Sequence, residues 1–210
     1  MQHKTTPPNQ GSHELFKDNG FKSINKAISA SLYQVQDGMQ GKRKIYPTKW
    51  PRLNKNLLGG LQPGKMYVIA GRPGVGKSAF SNQLIFDLLD NNKDKKLLVL
   101  YWSFEMPGYQ QIMRAGAKGT NKQMSELLSV DRRLENDAYQ AFKKEVLKYA
   151  HYPIYFNSIP RDMEFIKKAN VEVTNKKPDH IIINVYDHSR LILSEREQEL
   201  QKLNEVSKGC

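Results

Sequence analysis

Met66-Tyr67-Val68-Ile69-Ala70-Gly71-Arg72-Pro73-Gly74-Val75-Gly76-Lys77-Ser78 passes from a short β-prone run through a glycine-rich turn into a segment of helical period. Pro63-Gly64 and Gly71 bound residues 66–70, which predicts a strand there. Beyond Ser78, Phe80, Leu84, Ile85, Leu88 and Leu89 share one apolar face of a helix predicted over 77–91. Gly71 to Ser78 completes the pattern G-x-x-x-x-G-K-[ST], in the strand-to-helix context this pattern requires. Its glycines let the backbone fold round a phosphate chain, and the loop N–H groups with the helix N-terminus form an anion cradle. Lys77 is expected to reach the β- and γ-phosphates, and the Ser78 hydroxyl to ligate Mg²⁺. The reading is a site for ATP or GTP with Mg²⁺; the alternative is a glycine-rich turn without a ligand.

Downstream, the pattern alternates. Residues 97–102 are a continuous apolar run, as for a strand covered on both sheet faces. Helical segments are predicted near 108–117 and 134–150, the second with Ala138, Phe142, Val146 and Leu147 in register. A strand at 154–156, a helix near 162–174 and a strand at 181–186 follow. Such alternation predicts an α/β fold, a mostly parallel sheet between helix layers.

Parallel strands deliver their C-terminal ends to the ligand crevice. Two acids stand there. Glu105 follows the run at 97–102, in position to orient or deprotonate an attacking water, unless it is a solvated residue capping the next helix. Asp187 ends the run at 181–186, where a second acid helps hold Mg²⁺ through its waters, unless it caps a helix. Asp179 lies at the far end of that strand and is set aside. His188 is read as a packed or exposed histidine, or else a phosphate sensor or a partner contact.

Upstream, residues 1–13 carry paired prolines and no apolar period, which predicts a disordered N-terminus. Phe21, Ile24, Ile28, Leu32 and Val35 then lay a stripe along a helix predicted over 14–36, ended by Gly38 and Gly41. A basic connector completes a segment 14–47 ahead of an ATPase domain at 48–210. The whole chain has 33 Lys and Arg against 21 Asp and Glu, a net charge of +12 that points to a polyanionic partner such as nucleic acid, or to a basic soluble surface. Cys210 is the only cysteine, which excludes a disulfide within the chain and fits a reducing cytoplasm. With no apolar run of membrane length and no secretory signal, the expectation is an intracellular protein.

From about residue 48 to 205 the chain resembles the C-terminal, RecA-like motor domain of DnaB-type replicative helicases. The resemblance rests on Leu57 to Lys65 (LLGGLQPGK), Gly71 to Phe80 (GRPGVGKSAF) and Ser103 to Met106 (SFEM). It rests also on Asp187 to Ile192 (DHSRLI) and Arg196 to Glu199 (REQE). It implies a P-loop NTPase core, with Gly71, Arg72, Pro73, Gly74, Val75, Gly76, Lys77, Ser78 and Ala79 around ATP. It casts Glu105 as general base beside Lys77, and Ser78 and Asp187 as the groups around Mg²⁺. His188, Ser189 and Arg190 replace the family's usual Tyr-Leu-Gln, leaving their roles open. The helix at 14–36 resembles the linker by which such subunits join a hexameric ring; the alternative is that its stripe packs on the chain's own core. Single-stranded DNA, primase and a helicase loader are the implied partners.

The family continues past the position of Cys210 into a further strand that inserts between the phosphate-loop strand and the one ending at Asp187. The expectation is therefore a fragment with an incomplete sheet, weak in nucleotide binding and slow in hydrolysis. The compact, lysine-rich, diverged motifs point to a phage or mobile element. A RecA-like recombinase or repair ATPase is the enzymatic alternative, and a non-catalytic nucleotide-gated assembly module the other.

Overall fold

Ser23 opens the first helix because its hydroxyl accepts from the Lys26 N–H at 3.4 Å, satisfying one of the donors that a helix start leaves free. In the computed structural model, which describes residues 22–187, this helix is α1 (Ile24–Met39). It runs through Gly38, which the sequence reading had ending it; Gln40 is its C-cap and Gly41 follows with a φ of 65°. Residues 14–21 of the predicted helix lie outside the described residues, as do residues 1–13. Ile24, Ile28, Leu32 and Val35 are exposed on α1.

The chain divides into two units between Ile45 and Tyr46. The second opens with α2 (Pro51–Asn56), a short helix that sequence periodicity missed because it is a turn and a half long. Pro51 stands in its first turn, where a missing N–H costs nothing. Thr48 and Asn54 lock its start: the Thr48 N–H donates to Asn54 Oδ1 and Asn54 Nδ2 donates to the Thr48 carbonyl, both at 2.8 Å. Tyr46 and Leu61 then form an antiparallel bridge round this segment.

The strand predicted at 66–70 is not one. Residues 66–70 pair with nothing among the described residues, and Met66 and Val68 are 88% and 75% exposed. A strand exists only by pairing, and the segment finds no partner edge among the described residues.

α3 (Lys77–Asn91) follows the glycine-rich loop, over the residues predicted. Its buried face is Asn82, Ile85, Phe86, Asp87, Leu88 and Leu89. Phe80, predicted for that face, is instead 40% exposed and stacks on Trp50, with centroids 5.2 Å apart. β1 (Leu97–Ser103) is buried along its whole length. Between it and the next strand come α4 (Gly108–Gly119), α5 (Met124–Leu127) and α6 (Asn136–Leu147). α6 gives way to a 3-10 turn at Lys148–His151, so the helix predicted to 150 ends sooner. Leu147, assigned to its inner face, is exposed. β2 (Ile154–Asn157), α7 (Met163–Lys176) and β3 (Ile181–Asp187) complete the unit.

The described sheet has the order β2-β1-β3 with both pairs parallel. Alternation along β1 decides the layers. Leu97, Val99 and Tyr101 join Ile85, Leu88 and Leu89 of α3 in one core, which Phe156, Ile183 and Val185 border. Leu98, Leu100 and Trp102 face the other way, with Phe104 and Ile166, toward α7. The result is a three-layer α/β sandwich, as the sequence pattern predicts.

Candidate functional site

The site stands where β1 and β3 end beneath the start of α3. Parallel pairing sets Ser103 opposite Asp187, so both strands deliver a polar residue at one level. Period-two alternation then turns Ser103 and Asp187 to the sheet face that carries Tyr101, Val185 and α3. Asp187 is buried, at 8% exposure, and its Oδ1 accepts from the Ser78 hydroxyl at 2.9 Å. The contact spans 109 residues of sequence.

The loop ahead of Ser78 has the backbone its glycines permit. Gly74 and Gly76 take φ values of 78° and 88°, the left-handed region a side chain disfavours. Gly76 is the N-cap of α3 and brings no side-chain hydrogen bond to the helix start. The first N–H groups of α3 are thus not capped by a side chain, and the helix dipole adds positive potential there. Lys77 Nζ donates back across the loop to the Arg72 carbonyl at 3.1 Å. Pro73, Val75 and Ala79 are exposed along with the glycines, which leaves the loop's outer surface open to a ligand. Glu105 lies past the end of β1, exposed, two residues beyond the Ser103 that pairs with Asp187. The geometry thus brings Ser78 and Asp187 into contact and sets Glu105 on the neighbouring strand's exit.

Mg²⁺ fits this donor set. Asp187 Oδ2 is buried and has no hydrogen-bond partner among the described residues. A buried carboxylate oxygen left without a donor costs free energy that a cation or its bound water would offset. Among the described residues no group of three or more His, Cys, Asp or Glu side chains could hold a metal ion. An ion here would therefore draw its other ligands from phosphate oxygens and water, the habit of Mg²⁺ at triphosphates.

Beneath the loop lies a polar layer that sequence reading did not find. Ser103 and Gln111 have no exposed surface, and Asn82 is 4% exposed. Asn82 Nδ2 donates to the Gln111 carbonyl at 3.0 Å, Gln111 Nε2 donates to Ser103 Oγ at 3.1 Å, and Ser103 Oγ donates to the Met106 carbonyl at 2.5 Å. Burial of Tyr101, in the apolar core against α3, raises its phenol pKa, reinforced by the Asp187 charge and opposed by Arg114. The one available sequence signal was Asn82 on an apolar helix face, one turn past Ser78. His188 and residues 189–199 of the resemblance lie outside the described residues.

Residues 46–210 match the DnaB-like helicase C terminal domain family. The chain is 33% identical over 108 residues to the replicative DNA helicase DnaB of Buchnera aphidicola subsp. Schizaphis graminum (strain Sg), covering 47% of this chain and 21% of that protein. It is 36% identical over 110 residues to the DNA repair protein RadA of Aquifex aeolicus (strain VF5), covering 52% of this chain and 23% of that one. A solved DnaB-like replicative helicase, described with its primase interactions, superposes with a TM-score of 0.64 at 18% identity. That superposition covers 87% of this chain and 44% of the other. The chain thus spans under a quarter of the curated relatives' length, and the superposition bears on fold alone. Over the whole of its second unit, this chain belongs to the DnaB-like helicase C-terminal domain family.

Proposed function

We propose that this chain is the ATP-binding part of a replicative helicase subunit that unwinds DNA 5′ to 3′ at the expense of ATP. The observation that carries the reading is the partly buried Ser78–Asp187 hydrogen bond at the mouth of a glycine-rich loop, with one Asp187 oxygen unpartnered among the described residues. The family match supports the helicase assignment.

In this mechanism Gly71 to Ser78 wraps the triphosphate, and Lys77 swings from the Arg72 carbonyl to the β- and γ-phosphates. Magnesium, when bound, supplies charge neutralisation on the phosphate oxygens. Ser78 and Asp187 would be the residues that hold that ion. Glu105 orients the attacking water and takes its proton. The partners proposed are single-stranded DNA, further copies of this subunit in a hexameric ring joined through the 14–36 segment, primase and a helicase loader. The place of action is the cytoplasm. The net charge of +12 supports a nucleic-acid partner.

The Glu105→Gln substitution tests the catalytic step. It should lower ATP hydrolysis at least about 100-fold, within the usual range for a general base, while Mg-ATP binding stays within twofold. A non-catalytic assembly module would show no hydrolysis to lose. The match to a DNA repair ATPase favours a second reading, a RecA-like repair or recombination enzyme. The full-length gene product separates the two: a helicase displaces a strand from forked DNA, whereas a recombinase exchanges strands without unwinding a fork.

A further inference from the structure

Asn82, Gln111 and Ser103 are buried polar side chains, joined by hydrogen bonds, that neither ATP wrapping nor metal binding uses. Each is more than nine-tenths buried, where the bonds that an amide N–H or a hydroxyl makes offset part of its desolvation. Their donors run in one direction. Asn82 on α3 donates to the backbone of Gln111 on α4, Gln111 donates to Ser103 at the end of β1, and Ser103 donates to the Met106 carbonyl. Met106 is the residue after Glu105. The chain of bonds therefore begins on the helix that carries Lys77 and Ser78, one turn further along the same face as Ser78, and ends on the loop that carries Glu105.

We infer that Gln111 and Ser103 are positioning residues: they fix the Glu105 loop to α3, so that the carboxylate keeps its place relative to the bound triphosphate. This rests on the reading of Glu105 as base given above. The physical need is clear from the loop itself. Beyond Ser103 the backbone leaves the sheet and Pro107 supplies no N–H, so ladder bonds cannot hold residues 104–107. The Ser103 hydroxyl closes this turn from within by taking the Met106 carbonyl. Gln111, on the helix that follows, in turn fixes the hydroxyl's direction, since its Nε2 donates to that oxygen and leaves the proton for Met106. Neither residue is an acid or a base at the reacting atoms. A misplaced base loses rate steeply while the phosphate cradle, built on another segment, is untouched.

The test uses the full chain with Ser103→Ala, Ser103→Thr and Gln111→Leu, each first matched for thermal unfolding midpoint. Amide exchange at residues 104–106 reads the loop directly and needs no catalysis. Single-turnover cleavage of ATP and the Mg-ATP dissociation constant read its consequence. Ser103→Ala and Gln111→Leu should speed loop exchange about tenfold and slow cleavage by at least about tenfold, with Mg-ATP affinity within twofold. Ser103→Thr, which keeps the hydroxyl, should restore both. Unchanged loop exchange in Ser103→Ala overturns the proposal, as does a threonine variant as impaired as the alanine. A Glu105→Gln control separates the role of the base from that of the residues that position it. If Glu105→Gln still cleaves ATP, the base assignment fails even where the loop has loosened; if it cannot cleave while Ser103→Ala cleaves normally, only the positioning role fails.

Discussion

Gly60 shows how a single position fixes the close approach at the Tyr46–Leu61 bridge. Its φ is 149°, and a Cβ built there would stand 2.4 Å from the Tyr46 carbonyl oxygen. That oxygen belongs to backbone which bonds Leu61 across the bridge, so it cannot withdraw. Gly64 has a φ of 69° but open space around it, so its requirement is conformational alone. Gly60→Ala should therefore cost about 3 kcal/mol, the scale of a steric clash in packed backbone, and Gly64→Ala only about 1 kcal/mol. Thermal unfolding measures the difference, and equal midpoints for the two variants would contradict it. The pattern G-x-x-x-x-G-K-[ST] made the turn at Gly74 and Gly76 and the start of α3 at Lys77 legible, because the left-handed backbone of the turn calls for glycine at those places. Asn82, Ser103 and Gln111 were not legible, since isolated amides and hydroxyls on helices and strand ends read as solvated polar residues until the fold buries them together.

Among elements, α3 was read to its ends because glycine stops it on one side and its apolar period is regular. The segment at 66–70 has an equal β signal yet stays unpaired among the described residues, because β-propensity describes a surface that waits for a neighbour. Phe80 was misplaced because helical period does not reveal that Trp50 would stack on it from outside the core. The far end of α3 is held by charge. Lys49 Nζ donates to Asp87 and Asp90 at 3.1 and 3.2 Å, and the Tyr152 hydroxyl donates to Asp90. Burial alone would raise the Asp90 pKa, but the bonds from Tyr152 and Lys49 outweigh it and hold the carboxyl below 3.8. Tyr149, which packs edge-on against Phe86, is pushed up to about 12 by burial and by Glu145. For Asp90 the folded value is the lower, so its stabilisation is complete above 3.8 and is lost as pH falls through the folded value. For Tyr149 the folded value is the higher, so its share is complete below 10.0 and is lost as pH rises toward about 12. Asp90→Asn should destabilise by about 1.5 kcal/mol at neutral pH and reduce the loss between pH 7 and pH 3. Denaturant titrations at the two pH values decide it, and an unchanged acid limb would contradict the assignment.

At the scale of the molecule, a three-layer α/β architecture was legible from alternation alone, because each parallel crossover demands its helix. The grouping of the site was legible only in outline. Sequence placed two acids at strand ends, but only the parallel register Ser103 to Asp187 sets those ends side by side. Among the described residues no helix is long and apolar enough to cross a membrane. Met66, Val68 and Val75 are exposed apolar side chains of the second unit. All of the functional reading depends on whether that site takes up a magnesium-bound triphosphate. Isothermal titration of Mg-ATP into the folded chain measures this directly. The account predicts saturable uptake at one site per chain, weakened at least about tenfold in Asp187→Asn, the scale of one lost charge-assisted contact, and no detectable uptake in Lys77→Ala. Uptake by Lys77→Ala equal to that of the parent chain, or no heat from the parent while its unfolding midpoint shows it folded, would contradict it.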